Sequence, residues 1–319
     1  MEERKNQTKI THPRFVDEGE MDEWATNIVE MQEKNKRMYH YTTMDTFFKI
    51  MENVKEDYFT FRAGSVYTMN DRQEMKRGYE CIKKYLPIVE KKLNVKKKEK
   101  LFDMVQNQEQ NNDIKDHFGE WLINDDVSNF VVSFSSTPDI LPMWALYGDN
   151  GNGVCLEFSP YAIKNYYETK NIDKHLSIDK CVYTDEEIED LLLFKLEIIY
   201  KLFLETNSNE ERYNPKTKAR YLATMCGLAG AFVKHSGFRY EEEIRMNVFR
   251  SKEEWKFMDT RHHHHSVFVE VPIPINSLTK VIVGPAANIE DVKNSMVMIM
   301  RSKGIHLEPI HSEIPYRIY

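Results

Sequence analysis

Four sets of side chains in this sequence have the types and spacing for chemistry on a flat, hydroxyl-rich ligand. His40, in the run Tyr39-His40-Tyr41-Thr42, stands on a short β-prone stretch, where an imidazole can donate a hydrogen bond to a ribose hydroxyl or titrate near neutral pH. Ser133 and Ser135 flank Phe134 on an apolar strand. Period-two alternation puts both hydroxyls on one face, able to brace a ligand or a carboxylate. Trp144 and Tyr147 share one face of a short helix and can sandwich an aromatic ring such as nicotinamide. Glu241 and Glu243, two apart at the start of a strand, point to one side. One carboxylate there can hold a ribose 2′-hydroxyl and stabilise oxocarbenium-like charge while a glycosidic bond breaks.

Each set also has a structural explanation. A lone strand histidine, serines at a strand end and an aromatic helix pair are common in cores, and an acidic strand edge discourages unwanted pairing. Convergence in space is what separates the two.

The elements that must position these groups centre on Phe130 to Phe158. This stretch reads as an apolar strand, a short aromatic helix, a turn with Gly148, Gly151 and Gly153, and a second strand, and the crossover makes a cleft. Upstream, Thr42 or Thr43 caps a helix carrying Phe47, Phe48 and Met51, and Tyr58 to Phe61 reads as a strand that ends in turn chemistry at Asn70-Asp71. Downstream, Thr184 and Glu187 form a capping box, and a second helix from Ala219 to His235 is expected to end in a left-handed cap at Gly237. Tyr240 to Arg250 alternates as a strand, Asn288 caps a last helix that stops at Gly304, and Ile305 to Ile310 follows as a strand.

The predicted class is α+β: a split mixed or antiparallel sheet of roughly eight strands with about six helices. Residues 1–22 read as a polar arm and residues 23–319 as one domain. Within it lie a helical insertion over about 75–125, solvent-facing on most sides, and a helical pair over about 185–236.

With 319 residues, 41% of them hydrophobic, the chain can bury a core, and a net charge of −7 argues against a broad phosphate-binding surface. Cys81, Cys155, Cys181 and Cys226 are widely spaced and mostly in apolar contexts, which suits core residues in a reducing cytoplasm. There is no apolar leader and no run long enough to span a membrane. His262 to His265 reads as a polar loop or a tag remnant, because adjacent histidines on a strand alternate faces and cannot share one ion. Gly148, Gly151 and Gly153 lie between a helix and a strand, the reverse of a dinucleotide fingerprint.

Taken in order, Tyr39-His40-Tyr41-Thr42, Met69-Asn70-Asp71 with Glu74, Ser133-Phe134-Ser135, Met143-Trp144 with Tyr147, Gly153-Val154 to Glu157-Phe158, Val182-Tyr183, Tyr240-Glu241-x-Glu243-x-Arg245, Gly284-Pro285 and Pro315-Tyr316-Arg317 resemble the bacterial family called domain of unknown function 2971 (DUF2971). At the level of motif order the chain is also similar to ADP-ribosyltransferases, although Tyr41 stands where those enzymes have glycine. That likeness implies an ADP-ribosyltransferase-like fold with NAD as substrate and a macromolecular acceptor, either protein or nucleic acid. A setting in bacterial toxin action or anti-phage defence follows from it. Glu243, Glu241 and His40 would be catalytic, and His40, Tyr41, Thr42, Ser133, Ser135, Trp144 and Tyr147 would bind NAD. Two other classes compete: a non-catalytic sensor of a nucleotide or phage component, and a metal-dependent nuclease built on Asp71, Glu74 and Glu241.

Overall fold

The computed structural model describes residues 34–66, 74–104, 127–172, 176–207, 215–260 and 264–316. The expected N-terminal arm, the Asn70-Asp71 turn and residues 105–125 of the expected helical insertion lie outside these residues.

The strands are β1 (Met38–Thr42), β2 (Tyr58–Ser65), β3 (Val127–Ser135), β4 (Val154–Phe158), β5 (Ser177–Lys180), β6 (Glu243–Ser251), β7 (Lys256–Thr260), β8 (His264–Pro274), β9 (Leu278–Val283) and β10 (Ile310–His311). They form one sheet whose main path is β10-β9-β4-β1-β3-β2-β8-β7, with β6 beside β3 and β5 beside β6. The β10–β9 pair is parallel and the other named pairs are antiparallel, so the sheet is mixed. The helices are α1 (Met44–Glu52), α2 (Glu74–Lys92), α3 (Leu141–Leu146), α4 (Pro160–Lys170), α5 (Asp185–Asn207), α6 (Pro215–Gly230) and α7 (Ile289–Ser302).

One edge of β3 pairs with β6 along its length, from Val127 opposite Ser251 to Ser135 opposite Glu243. The other edge is shared. β1 holds only Ser135, through Tyr39, and β2 holds Phe130 and Val131, through Ser65 and Gly64. Beyond those points β1 follows β4 and β2 follows β8. Val132 to Phe134 therefore face no partner strand on that side among the described residues, and the sheet is split there.

One face of the sheet is sealed by α1, α4 and α7 over a core containing Phe47, Phe61, Phe134, Phe158, Met296 and Met300. Each such side chain contributes roughly 1.5–3 kcal/mol on burial. The caps follow the sequence: Thr43 Oγ1 accepts from the Thr46 amide at 3.1 Å, Thr184 and Glu187 close their capping box, and Asn288 caps α7. Gly304 has a left-handed φ of 75° after α7, a conformation that glycine adopts without strain.

A second core lies among α2, α5 and α6, where Ile82, Leu86, Leu192, Leu196, Leu222 and Cys226 interlock. The expected insertion and the expected helical pair thus pack on each other, because α2 carries an apolar stripe that needs cover. Helix α6 stops at Gly230 instead of reaching His235. The chain leaves the helix early to form a bridge between Val233 and Val182, and Gly237 lacks the left-handed conformation expected of it. The strand expected over Ile305 to Ile310 contracts to β10. His264 and His265 open β8 opposite Thr260 and Asp259, while His262 and His263 lie outside the described residues.

Candidate functional site

A cavity of about 200 Å³ opens at the split. His40, Ser133, Tyr147, Glu241 and Glu243 all line it, together with Lys234. They come from β1, β3, the C-cap of α3, the segment before β6 and the first residue of β6, so the topology brings together groups separated by most of the chain.

The register explains the convergence. Ser133 lies opposite Arg245 and Ser135 opposite Glu243 across the β3–β6 pair, and cross-strand neighbours share a face. Ser133 Oγ donates to Glu243 Oε1 at 2.6 Å. On the other carboxylate oxygen, Glu243 Oε2 accepts from Lys234 Nζ at 2.7 Å and from Arg245 Nη2 at 2.9 Å. Cys181 Sγ lies 3.6 Å from the same oxygen. The Glu243 amide donates to the Tyr183 hydroxyl at 2.8 Å.

Glu241 was expected on the same strand face as Glu243, but it occupies the turn Ser236–Glu241, and β6 begins at Glu243. Glu242, between them, takes a left-handed φ of 42° and turns outward to accept from Ser136 and Thr137. This kink aims Glu241 at the same cavity by a different route. Its Oε1 accepts from the Tyr147 hydroxyl at 2.9 Å and its Oε2 from Lys234.

Lys234 reaches this position because the backbone of Val233 and Lys234 pairs with Val182. Its ammonium also sits 5.0 Å from the centre of the Phe238 ring, a favourable cation–π distance. Glu241, Glu243, Lys234 and Arg245 are each 6% exposed or less. Two anions and two cations so placed form a neutral buried tetrad, and removing one member of such a set costs about 3–5 kcal/mol.

The charges set the protonation states. Burial opposes ionisation of Glu243, but Arg245 and Lys234 overcome it and hold its pKa down at about 2. Burial likewise opposes the charge on Lys234, and Glu243 and Glu241 reverse this and raise its pKa. Burial and the Glu241 carboxylate push the Tyr147 hydroxyl up. Glu243 is therefore a fixed anion at neutral pH, suited to electrostatic stabilisation and not to proton transfer.

His40 is half-buried, its ring edge-on to Phe61 at 5.1 Å and to Phe134 at 5.7 Å between centroids. Its Nδ1 lies 3.1 Å from the Ser133 carbonyl. A carbonyl only accepts, so Nδ1 carries the proton and fills the backbone bond that the split leaves open. Burial lowers the pKa of the ring against the raising effect of this bond. A neutral ring with Nδ1 committed offers Nε2 as an acceptor, where donation to a ribose hydroxyl was expected.

The remaining expected binding residues divide. Tyr41 lines the cavity, but its hydroxyl is engaged by the Thr137 carbonyl and the Ile140 amide. Thr42 and Ser135 are buried away from it, and Ser135 Oγ accepts from the Thr137 amide at 3.2 Å. Trp144 is fully buried, packed against Tyr41 and donating through Nε1 to Asp139 at 2.8 Å. It backs the wall that Tyr147 presents and does not face the cavity. Asp71 and the Glu74 side chain lie outside the described residues, and Glu241 is held by Lys234 and Tyr147. Among the described residues no group of three His, Cys, Asp or Glu side chains could hold a metal ion.

Lys234 and Arg62 are cavity residues that the sequence reading missed. Lys234 follows an apolar helix end and looks like a solvent-facing terminus, and its partners arrive only through strand register. Among the described residues no helix is long and apolar enough to cross a membrane.

Residues 143–246 match a family described as Protein of unknown function (DUF2971), which bears out the resemblance read from the dispersed motifs. The matched span holds Tyr147, Lys234, Glu241 and Glu243. No curated protein and no solved structure matches the chain.

Proposed function

We propose that this member of the DUF2971 family binds NAD+ in the split-sheet cavity and transfers its ADP-ribose to a macromolecular acceptor, as a bacterial toxin or anti-phage effector in the cytoplasm. The observation that carries the reading is the meeting of His40, Ser133, Glu241 and Glu243, from three distant segments, on one cavity. At about 200 Å³ it is smaller than the roughly 300–1,000 Å³ of pockets for drug-sized ligands. It suits the nicotinamide–ribose end of a dinucleotide, with the remainder outside.

In this reading the nicotinamide ring stacks on Tyr147, and a ribose hydroxyl hydrogen-bonds at Ser133 and Glu243 Oε1. The bond between C1′ and the ring nitrogen breaks, and nicotinamide leaves with the electron pair as a neutral molecule. Positive charge that develops on the ribose faces the fixed anion Glu243. The acceptor nucleophile then bonds to C1′ and gives up its proton, for which Glu241 is the nearby carboxylate once it exchanges its bond to Tyr147.

The test is incubation of purified protein with NAD+ and cell lysate, followed by mass analysis. Free nicotinamide and an ADP-ribose mass increment on a lysate component support the reading. Undiminished NAD+ removes it. A second reading, a non-catalytic nucleotide sensor, is favoured by one observation: both carboxylates are already engaged by Lys234, with Arg245 also on Glu243. It expects thermal stabilisation by NAD+ without release of nicotinamide.

A further inference from the structure

The charges lining the cavity do not cancel at its mouth. Lys234 is balanced within the buried tetrad, and burial keeps His40 neutral. Arg62, on β2 at the opposite lip of the split, lines the same cavity and is exposed. Its contacts are neutral: the guanidinium carbon lies 4.8 Å from the centre of the Phe268 ring, and Nη1 lies 3.2 Å from Met258 Sδ. The residue directly opposite it in the β2–β8 pair is Glu270, the natural counter-ion. Glu270 instead pairs with Lys256 at 2.8 Å. Among the described residues no carboxylate approaches Arg62 within ion-pair distance, and its guanidinium rests over the Phe268 ring.

We infer that Arg62 is a phosphate-binding residue, holding the phosphate of a nucleotide whose ribose end enters the cavity. A guanidinium presents paired N–H donors that match two phosphate oxygens, and one held by an aromatic face loses little freedom on binding. This rests on the reading of the cavity as a ribose site, and it adds the ligand class: a phosphate-bearing nucleotide, in preference to a free nucleoside.

The test is calorimetric titration of the full chain with ADP-ribose, NAD+ and nicotinamide riboside, for wild type, Arg62→Gln and Arg62→Lys. Arg62 is exposed, so both variants are expected to fold, and thermal unfolding checks this. Arg62→Gln is expected to weaken ADP-ribose and NAD+ binding by roughly 10- to 100-fold, the worth of a charged hydrogen-bonding pair. Nicotinamide riboside is expected to bind within about twofold of wild type, and Arg62→Lys to fall between. Wild-type affinity for ADP-ribose in Arg62→Gln overturns the assignment, as does failure of wild type to bind ADP-ribose. If ADP-ribose binding depends on Arg62 but bound NAD+ stays intact, the phosphate site stands and the transferase reading falls.

Discussion

Glu243→Gln probes the tetrad directly, because it keeps the shape and removes one charge. A carboxylate whose pKa falls from an ordinary 4.5 to about 2 on folding contributes about 3 kcal/mol at neutral pH. The side chain is 2% exposed, so solvent screening does not reduce this much. The figure agrees with the roughly 3–5 kcal/mol for breaking a buried pair, since Lys234 and Arg245 would be left with one anion between them. The folded-state pKa is depressed, so the contribution is complete above about pH 4.5 and is lost as pH falls towards 2. Urea unfolding of wild type and variant is therefore expected to differ by about 3 kcal/mol at pH 7 and by about 2 kcal/mol at pH 3.5. Adding Lys234→Met removes a cation as well. The double variant is expected to be more stable than the sum of the single effects by about 1 kcal/mol or more. A variant within about 0.5 kcal/mol of wild type at pH 7, or a gap that widens in acid, refutes the electrostatic account of this cluster.

Three further perturbations test other parts of the framework. Tyr147→Phe removes the hydroxyl that donates to Glu241 at 2.9 Å; unfolding is expected to show a loss of about 1 kcal/mol, with NAD+ affinity held by the remaining ring. Asp139→Ala removes the acceptor for Trp144 Nε1, the Ser312 hydroxyl and the Glu313 amide. Limited proteolysis is expected to cut near Ser312 much faster in that variant, with about 2 kcal/mol lost on unfolding. Gly78→Ala places a Cβ 2.4 Å from the Gly230 carbonyl oxygen, so α2 and α6 must separate; a loss of about 1–3 kcal/mol is expected by thermal unfolding.

Much of the local structure is legible in the sequence. Thr43, the Thr184–Glu187 box and Asn288 start their helices by side-chain hydrogen bonds within one turn, which is information carried by neighbouring residues. Ser133 of β3 and Glu243 at the start of β6 are legible as candidates because period-two alternation is also local. What the sequence hides is register. The split depends on β1 and β2 sharing one edge of β3, a choice made by segments far apart in the chain. Lys234 is hidden for the same reason, since its counter-ions belong to a turn and a strand. Glu241 reaches the cavity through the left-handed backbone of Glu242 and not through alternation. Trp144 takes the core place open to an aromatic helix residue, because its Nε1 finds Asp139, which lets the whole indole be buried.

The proposed function requires the split-sheet cavity to receive the nicotinamide–ribose end of NAD+. A crystal structure of the protein with a non-cleavable NAD+ analogue tests it most directly. The expected density places the nicotinamide against Tyr147 and a ribose hydroxyl within hydrogen-bonding distance of Ser133 Oγ or Glu243 Oε1. An analogue bound elsewhere on the surface, or a cavity still closed to it at saturating concentration, contradicts the claim.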